Sequence, residues 1–314
     1  MVYPILIKIY MKETIYMNAI TNCNLCPRRC GIDRTTNIGY CGTTDKVLLA
    51  KVMLHRWEEP CISVTNGAGT VFFSGCNLHC CYCQNNAISN EIYGKSVTIE
   101  QLANIFLSLQ EQGADNIELI TPTHYVTQII KALDIAKPHL HIPIVYNTGG
   151  YELSETIKLL NDYIDVYIPD LKYFSQEASL RYSHAADYFK YASESILQMI
   201  SQAGKLVYNT NGGLIKGTII RHLVLPGLRH DSLKILDWIA ENTSSDEVLV
   251  SIMSQYVPFD FIPDEFFEIK RHVTKMEYNS VVKHSAELKL NGFTQQKSSA
   301  SEDFVPEFDL SGII

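Results

Sequence analysis

Gly69-Thr70-Val71-Phe72-Phe73-Ser74-Gly75-Cys76-Asn77-Leu78-His79-Cys80-Cys81-Tyr82-Cys83 opens as a strand and closes as a cysteine loop. The β-branched and aromatic run to Ser74 leads straight into Cys76, Cys80 and Cys83 at C-x3-C-x2-C spacing, with Tyr82 just before the last cysteine. Downstream, short β-branched runs alternate with helical patterns, which predicts parallel strands joined by helices. Thr98 with Gln101 three residues on predicts a capped helix, with Leu102, Ile105, Phe106 and Leu109 on its apolar face and Gly113 at its end. A second helix presents Val126, Ile129, Ile130 and Leu133 and stops before Pro138. The expected strands are residues 69–74, 116–121, 142–147, 164–168, 218–225 and 247–253, with two helices after the last. Asn211-Gly212-Gly213 reads as a hairpin turn ahead of the fifth strand.

Six β/α units make an α/β fold but are too few to close an eight-stranded barrel. In such architectures ligands bind at the C-terminal ends of the strands. Here those ends carry Cys76, Thr121-Pro122-Thr123-His124, Asn147-Thr148-Gly149-Gly150, Asp170-Leu171-Lys172, Pro226-Gly227 and Ser254-Gln255-Tyr256. Polar residues and glycines gather on one predicted rim, independently of the cysteine motif.

Three thiolates on one loop can wrap a corner of a cubane iron–sulfur cluster and leave its fourth iron free for a small molecule. The other readings of the triplet are a reduced buried cysteine cluster and a partial zinc site. Cys81 and Cys61 fit no ligand spacing and read as packing thiols. The triplet resembles the signature of the radical S-adenosylmethionine (SAM) superfamily. That resemblance implies an open (β/α)6 partial TIM barrel and a 4Fe–4S cluster on Cys76, Cys80 and Cys83. It also implies SAM chelated at the open iron and reductive C–S cleavage to a 5'-deoxyadenosyl radical.

The likeness extends beyond the triplet. Phe72 to Leu78, Thr121 to Tyr125, Val145 to Thr148, Ile168 to Tyr173, Arg221 to Gly227 and Ser254 to Tyr256 stand in the expected order. Together they resemble the uncharacterised branch related to pyruvate formate-lyase activating enzyme, over most of residues 23–290. This implies Asp170, Lys172 and Arg221 at the SAM site. Activating enzymes carry a Gly-Gly-Glu-type segment where this chain has Thr121-Pro122-Thr123-His124, so the SAM amino group is expected to be held differently.

The residues themselves add detail. Gly149 and Gly150 let backbone approach a ligand closely, or simply make a strand-to-helix turn. Asp170 and Lys172 flank Leu171 and so face one side of an extended segment. Lys172 suits the SAM carboxylate and Asp170 its amino group or a cation, the alternative being a surface ion pair. Arg221 lies in an apolar strand and requires a buried anionic partner, either SAM or Asp170. His124 and His222 fit a structural role as well as a proton-handling one. Tyr82 and Thr148 complete the expected cofactor-binding set, and no catalytic residue is legible.

A second cysteine group, Cys23, Cys26, Cys30 and Cys41, suits structural zinc or an auxiliary iron–sulfur cluster, unligated thiols being the alternative. The neighbouring Arg28, Arg29 and Arg34 are too few to indicate a nucleic-acid zinc module. A net charge of −8 gives no global attraction to nucleic acid or anionic lipid. The apolar stretch Val2 to Tyr10, interrupted by Lys8, fits neither a signal peptide nor a membrane span. It reads as a strand or an artefact of start-codon choice, with Met11 or Met17 as later starts. Nine cysteines at metal-type spacings predict a reducing cytoplasm and no disulfides.

The 314 residues divide as a Cys-rich N-terminal extension over 1–60, a barrel over 61–290 and a tail over 291–314. The tail's Phe304 and Phe308 are expected either to anchor against the barrel mouth or to belong to a disordered terminus. The expected function is a radical SAM enzyme that abstracts hydrogen from a protein, peptide or small molecule, a glycyl-radical partner enzyme included. Its electron donor would be of flavodoxin or ferredoxin type. The rivals are a stand-alone peptide- or metabolite-modifying radical SAM enzyme and a non-catalytic iron–sulfur electron carrier.

Overall fold

A computed structural model of the protein describes residues 19–295 and 306–314. Val2 to Tyr10, Met11, Met17 and Phe304 lie outside the described residues. The strands are β1 (Val47–His55), β2 (Ala68–Phe73), β3 (Lys95–Val97), β4 (Ile117–Ile120), β5 (Ile144–Thr148), β6 (Val166–Pro169), β7 (Val207–Tyr208), β8 (Leu214–Leu223), β9 (Val248–Met253) and β10 (Gly292–Thr294). They order as β10-β9-β8-β6-β5-β4-β2-β1-β3, with β7 paired to β8 as a hairpin arm. β2, β4, β5, β6, β8 and β9 are the six expected parallel strands. The two edges, β10 and β3, do not pair, so the sheet is open.

Helix α1 (Asn86–Ser89) follows the cysteine loop, and α2 (Ile99–Glu111) and α3 (Val126–Ala136) cover the outer face of the first strands. Both halves of the α2 capping box form. The Thr98 hydroxyl accepts from the Gln101 amide at 3.2 Å, and the Gln101 side chain accepts from the Thr98 amide at 3.0 Å. Leu102, Ile105, Phe106 and Leu109 are buried against Val71, Leu119 and Tyr146. Each contributes roughly 1.5–3 kcal/mol by burial. Helices α4 (Ser154–Leu159), α5 (Gln176–Ser183), α6 (Tyr188–Ala203), α7 (Arg229–Asn242) and α8 (Lys275–Glu287) complete the layer. Of the two helices expected after β9, one is α8, whereas Asp264–Ile269 after Pro263 is a 3-10 stretch.

Two boundaries differ from the expectation of a barrel confined to 61–290. β1 pairs antiparallel with β2 and buries Val47, Leu49 and Val52 in the same core as α2, so the sheet begins well before residue 61. At the other end β10 pairs parallel to β9, past residue 290. Residues 306–314 then strap the free part of β1. The Leu310 amide donates to the Ala50 carbonyl at 3.1 Å, and the Val52 amide to the Ser311 carbonyl at 3.0 Å. Phe308 meets Phe72 edge-on at 5.5 Å between centroids, as expected of a tail anchored near the mouth.

Candidate active site

β2 delivers Gly75 and Cys76 to the rim, and the backbone there admits no other residue than glycine. Gly75 has φ of +91°, and a Cβ on it would stand 2.6 Å from the Cys41 carbonyl oxygen and 3.0 Å from His124 Nε2. His79 fixes the loop from within, its ring 2.8 Å from Asn90 Oδ1 and 2.7 Å from the Tyr40 carbonyl. Cys80 Sγ accepts a hydrogen bond from Ser183 Oγ at 2.9 Å. Ser183 lies 2.7 Å from the Tyr173 hydroxyl, which is 2.5 Å from that of Tyr82. Tyr82 therefore sits on the cavity wall with its hydroxyl engaged behind Cys80.

Cys76, Cys80 and Cys83 line one cavity together with Thr148, Gly149, Asp170, Lys172 and Arg221. All nine expected triplet and cofactor-binding residues, Tyr82 included, thus line a single space at the strand ends. Burial pushes the Cys76 thiol up to about 12 and the Cys80 thiol up to about 11, so free thiolates are disfavoured there without a cationic partner. Lys172 forms an ion pair with Asp170 inside the cavity. Burial opposes its charge, but Asp170 and Cys80 hold it above the ordinary lysine range. Gly149 leaves room where a Cβ would meet Leu78 Cδ1 at 2.9 Å. Gly150 answers to the turn instead, since a Cβ there would lie 2.1 Å from the Asp170 carbonyl.

Other expectations resolve differently. Arg221 is paired with Glu58 and Glu59, which are close to it only in space, not with Asp170. Its Nε donates to Glu59 Oε1 at 2.7 Å. His124 donates to or accepts from nothing in the cavity. Its Nε2 faces the Ser74 carbonyl at 2.8 Å, and burial with Arg34 nearby pushes its ring down to about 3. His222 Nδ1 likewise faces the Leu171 carbonyl at 2.7 Å. Both behave as structural histidines. Cys61 packs under the barrel and Cys81 against the helices, as packing thiols should.

Sequence reasoning did not single out Ser183, Glu58, Glu59, Glu118 or Glu152. Glu118 is fully buried and bonded to Asn147 Nδ2 at 2.8 Å, and burial pushes its carboxyl well up. Glu152 accepts from Thr123 Oγ1 at 2.6 Å and Thr148 Oγ1 at 2.5 Å, and burial pushes it up to about 7. It thereby fixes Thr148 at the rim. A glutamate inside the otherwise apolar run of β4 is the one sequence signal that could have pointed to Glu118. Thr121, just past the end of β4, lines the cavity in the left-handed region at φ +58°. A β-branched residue there is strained.

The residues fit a cluster better than a single ion. Among the described residues no three His, Cys, Asp or Glu side chains converge as tightly as one metal ion requires. The Cys76–Cys83 loop offers three thiols to one cavity, a donor set that suits a corner of a polynuclear cluster. The Lys172 cation beside Cys80 suits the anionic charge such a cluster brings.

A cysteine loop and an ion pair share one cavity at the strand ends of an open α/β sheet, the place where enzymes of this architecture bind their ligands. The family model described as the radical SAM superfamily matches residues 70–239, more than half of the chain, and the protein belongs to that superfamily. It is a radical SAM enzyme, of a family whose members use an iron–sulfur cluster and SAM. An uncharacterized protein of Methanocaldococcus jannaschii is 30% identical over 279 residues, covering 85% of this chain and 75% of the relative. Among solved structures, Streptococcus suis SuiB bound to S-adenosylmethionine is 15% identical over 70% of this chain, with a TM-score of 0.46. A radical SAM methyltransferase from Sphaerobacter thermophilus is 12% identical over 72% of this chain, with a TM-score of 0.47. The chain spans 48% of the first and 65% of the second. Among the described residues no helix is long and apolar enough to cross a membrane.

Proposed function

We propose that Cys76, Cys80 and Cys83 hold a 4Fe–4S cluster whose open iron takes SAM, and that the enzyme abstracts hydrogen from a substrate through the resulting radical. The observation that carries this is the shared cavity, which the three cysteines line together with the Asp170–Lys172 pair. When bound, the cluster and SAM supply one-electron cleavage of the C5'–S bond to give a 5'-deoxyadenosyl radical. The chain's own groups bind and orient. Lys172 meets the SAM carboxylate, Asp170 the amino group, and Gly149 lets the ligand pass close to the backbone. Phe72, Ile120, Leu223 and Met253 line the cavity with apolar surface and exclude water from the reacting atoms.

A donor of flavodoxin or ferredoxin type in a reducing cytoplasm would serve such a site. The substrate class is a protein or peptide, a glycyl-radical partner enzyme included, or a metabolite handled by the enzyme alone. Residues Cys23, Cys26, Cys30 and Cys41 hold a second metal centre, zinc or iron–sulfur. The reading is tested by anaerobic reconstitution with SAM and a reductant, followed by assay for 5'-deoxyadenosine. An iron–sulfur electron carrier produces none.

Two residue-level results are expected. Lys172→Met weakens SAM binding on the order of ten- to a hundredfold, about 1.5–3 kcal/mol for one charge-assisted contact. Equilibrium binding to the reconstituted protein checks it, and unchanged affinity removes Lys172 from the SAM site. Ser183→Ala takes an O–H donor from the Cys80 sulfur and lowers the reduction potential of the cluster, because hydrogen bonds to the sulfurs stabilise the more negative state. A potentiometric titration followed by EPR reads the shift, with Ser183→Thr restoring it. A potential equal in wild type and Ser183→Ala rejects the role.

A further inference from the structure

The tail builds a part of the cavity that the six β/α units do not. Phe72 and Ile120 line the cavity, and with Ala50 and Ile88 they make a small apolar cluster apart from the main cores. Among the described residues the half-buried apolar side chains packed against this cluster are Met53 and Phe308, whose ring meets Phe72 edge-on at 5.5 Å between centroids. Two residues earlier, Pro306 lines the cavity itself. The cluster also backs the cysteine loop, because the Ile88 carbonyl accepts from the Gly75 amide at 2.7 Å, next to Cys76. A side chain from the far end of the sequence thus stands behind the cavity that the three cysteines line.

The tail is held along its length. Pro306, Phe308 and Leu310 are half-buried while Glu307 and Asp309 between them are exposed, the alternation of an extended segment lying on a surface. Lys51 Nζ donates to the Glu307 carbonyl at 2.6 Å and to Asp309 Oδ1 at 3.1 Å, on the two sides of Phe308. Further on, backbone bonds join Leu310 to Ala50 and Ser311 to Val52, on the stretch of β1 just past its pairing with β3. Leu310 is held at φ +64°, a conformation that persists only where the surroundings fix it. Gly312 passes so close to β1 that a Cβ on it would lie 2.2 Å from the Val52 carbonyl oxygen. Ile313 then buries itself in the main core. With anchors on both flanks already fixing the backbone, keeping the Phe308 ring in place costs little further entropy.

We propose that residues 306–314 are a wall of the active-site cavity, with Phe308 as the positioning residue that keeps the Phe72–Ile120 surface closed to solvent. They lie outside residues 70–239, so the wall is no part of what the family match describes. Its role follows from the chemistry. A carbon-centred radical is quenched by any solute or reductant that reaches it, and a closed apolar wall keeps such molecules out. Loss of the Phe308 ring leaves a gap against Phe72 that the strapped backbone does not fill. The inference rests on this cavity being the site of SAM cleavage and deepens that reading, because it names what shields the site.

The test uses the full chain before reconstitution, with N-ethylmaleimide as the probe of access. Alkylation of each cysteine is followed in time by peptide mass spectrometry. Phe308→Ala is expected to speed alkylation of the half-buried Cys76 and Cys83 by roughly threefold or more. Phe308→Leu should stay near the parental rate, because it refills the gap. Cys61, buried under the barrel, is the internal control and should not change. A strap that only stabilises the fold would lower the thermal midpoint and leave Cys76 and Cys83 at their parental rates. That result overturns the proposal, and so does an equal acceleration at Cys61. Should Phe308→Ala fail to fold, Lys51→Met decides, since it releases the contacts on both sides of Phe308 and keeps the ring. Faster alkylation confined to Cys76 and Cys83 then supports the wall, and parental rates refute it. None of these measurements reads SAM cleavage, so failure of the radical chemistry and failure of this inference are separate results.

Discussion

Replacing Cys76, Cys80 and Cys83 together by alanine is expected to reduce 5'-deoxyadenosine formation to background. Among the described residues, these three are the cysteines that line the cavity holding the Asp170–Lys172 pair. A cubane held at three corners has no fourth protein ligand to fall back on. Each single replacement should be nearly as severe, because the three act as a unit and not additively. The fold should survive, since Cys76 and Cys83 are only half-buried and the loop is held by Gly75, Asn77 and His79. Cys81→Ala is the control. Its backbone amide serves Tyr182 and its side chain lies among packed apolar groups, so activity should stay at the wild-type level. The assay is product formation under anaerobic reduction, alongside iron content and a thermal midpoint. A triple variant that still makes 5'-deoxyadenosine at the wild-type rate would falsify the assignment, and so would a Cys81 variant that loses its cluster.

What was legible in the chain is what short-range physics decides. The capping box of Thr98 and Gln101, the apolar stripe behind it and the Asn211-Gly212-Gly213 turn all appear as expected, because each depends on residues within a turn or two. The six parallel strands follow from alternation of apolar runs with helical patterns, and the strand-end rule brought rim residues of five of them to one cavity, whereas Pro226-Gly227 after β8 does not line it. β1 was missed as part of the sheet. Its own pattern is strand-like, but its place is decided by pairing with β2 and by the tail that covers its free edge, neither of which is local. The same limit applied to Arg221. An apolar strand around an arginine announced a buried anion, yet the partners lie 162 and 163 positions away in sequence, on the connection after β1. Ser183 was invisible for the same reason, being a helix-end serine until α5 sets it against Cys80.

Arg221→Met is expected to destabilise the protein by about 3–5 kcal/mol, the usual cost of leaving a buried charge without its partner. Glu58 and Glu59 are 10% and 5% exposed at their side chains, and Glu118 lies deeper in the same interior. In the wild type burial pushes both paired carboxyls up while Arg221 pulls them down; burial prevails at Glu58 and Arg221 at Glu59. Without the guanidinium, burial acts alone and the folded-state values of both rise above their unfolded ones. A group raised in this way favours folding below its unfolded value and loses that support as pH climbs through the folded one. The gap between wild type and variant should therefore be widest near neutrality and shrink on acidification. Glu59 in the wild type works in the opposite sense, since its lowered value contributes stability at neutral pH that fades as acid protonates it. Both effects narrow the gap in the same direction. A compensated variant, Glu58→Gln and Glu59→Gln with Arg221→Met, removes the charges together and should recover most of the loss. Urea unfolding of the three proteins across pH reads all of this. If Arg221→Met unfolds like the wild type at neutral pH, or if the compensated variant is no better than the single one, the ion pair does not hold this side of the barrel.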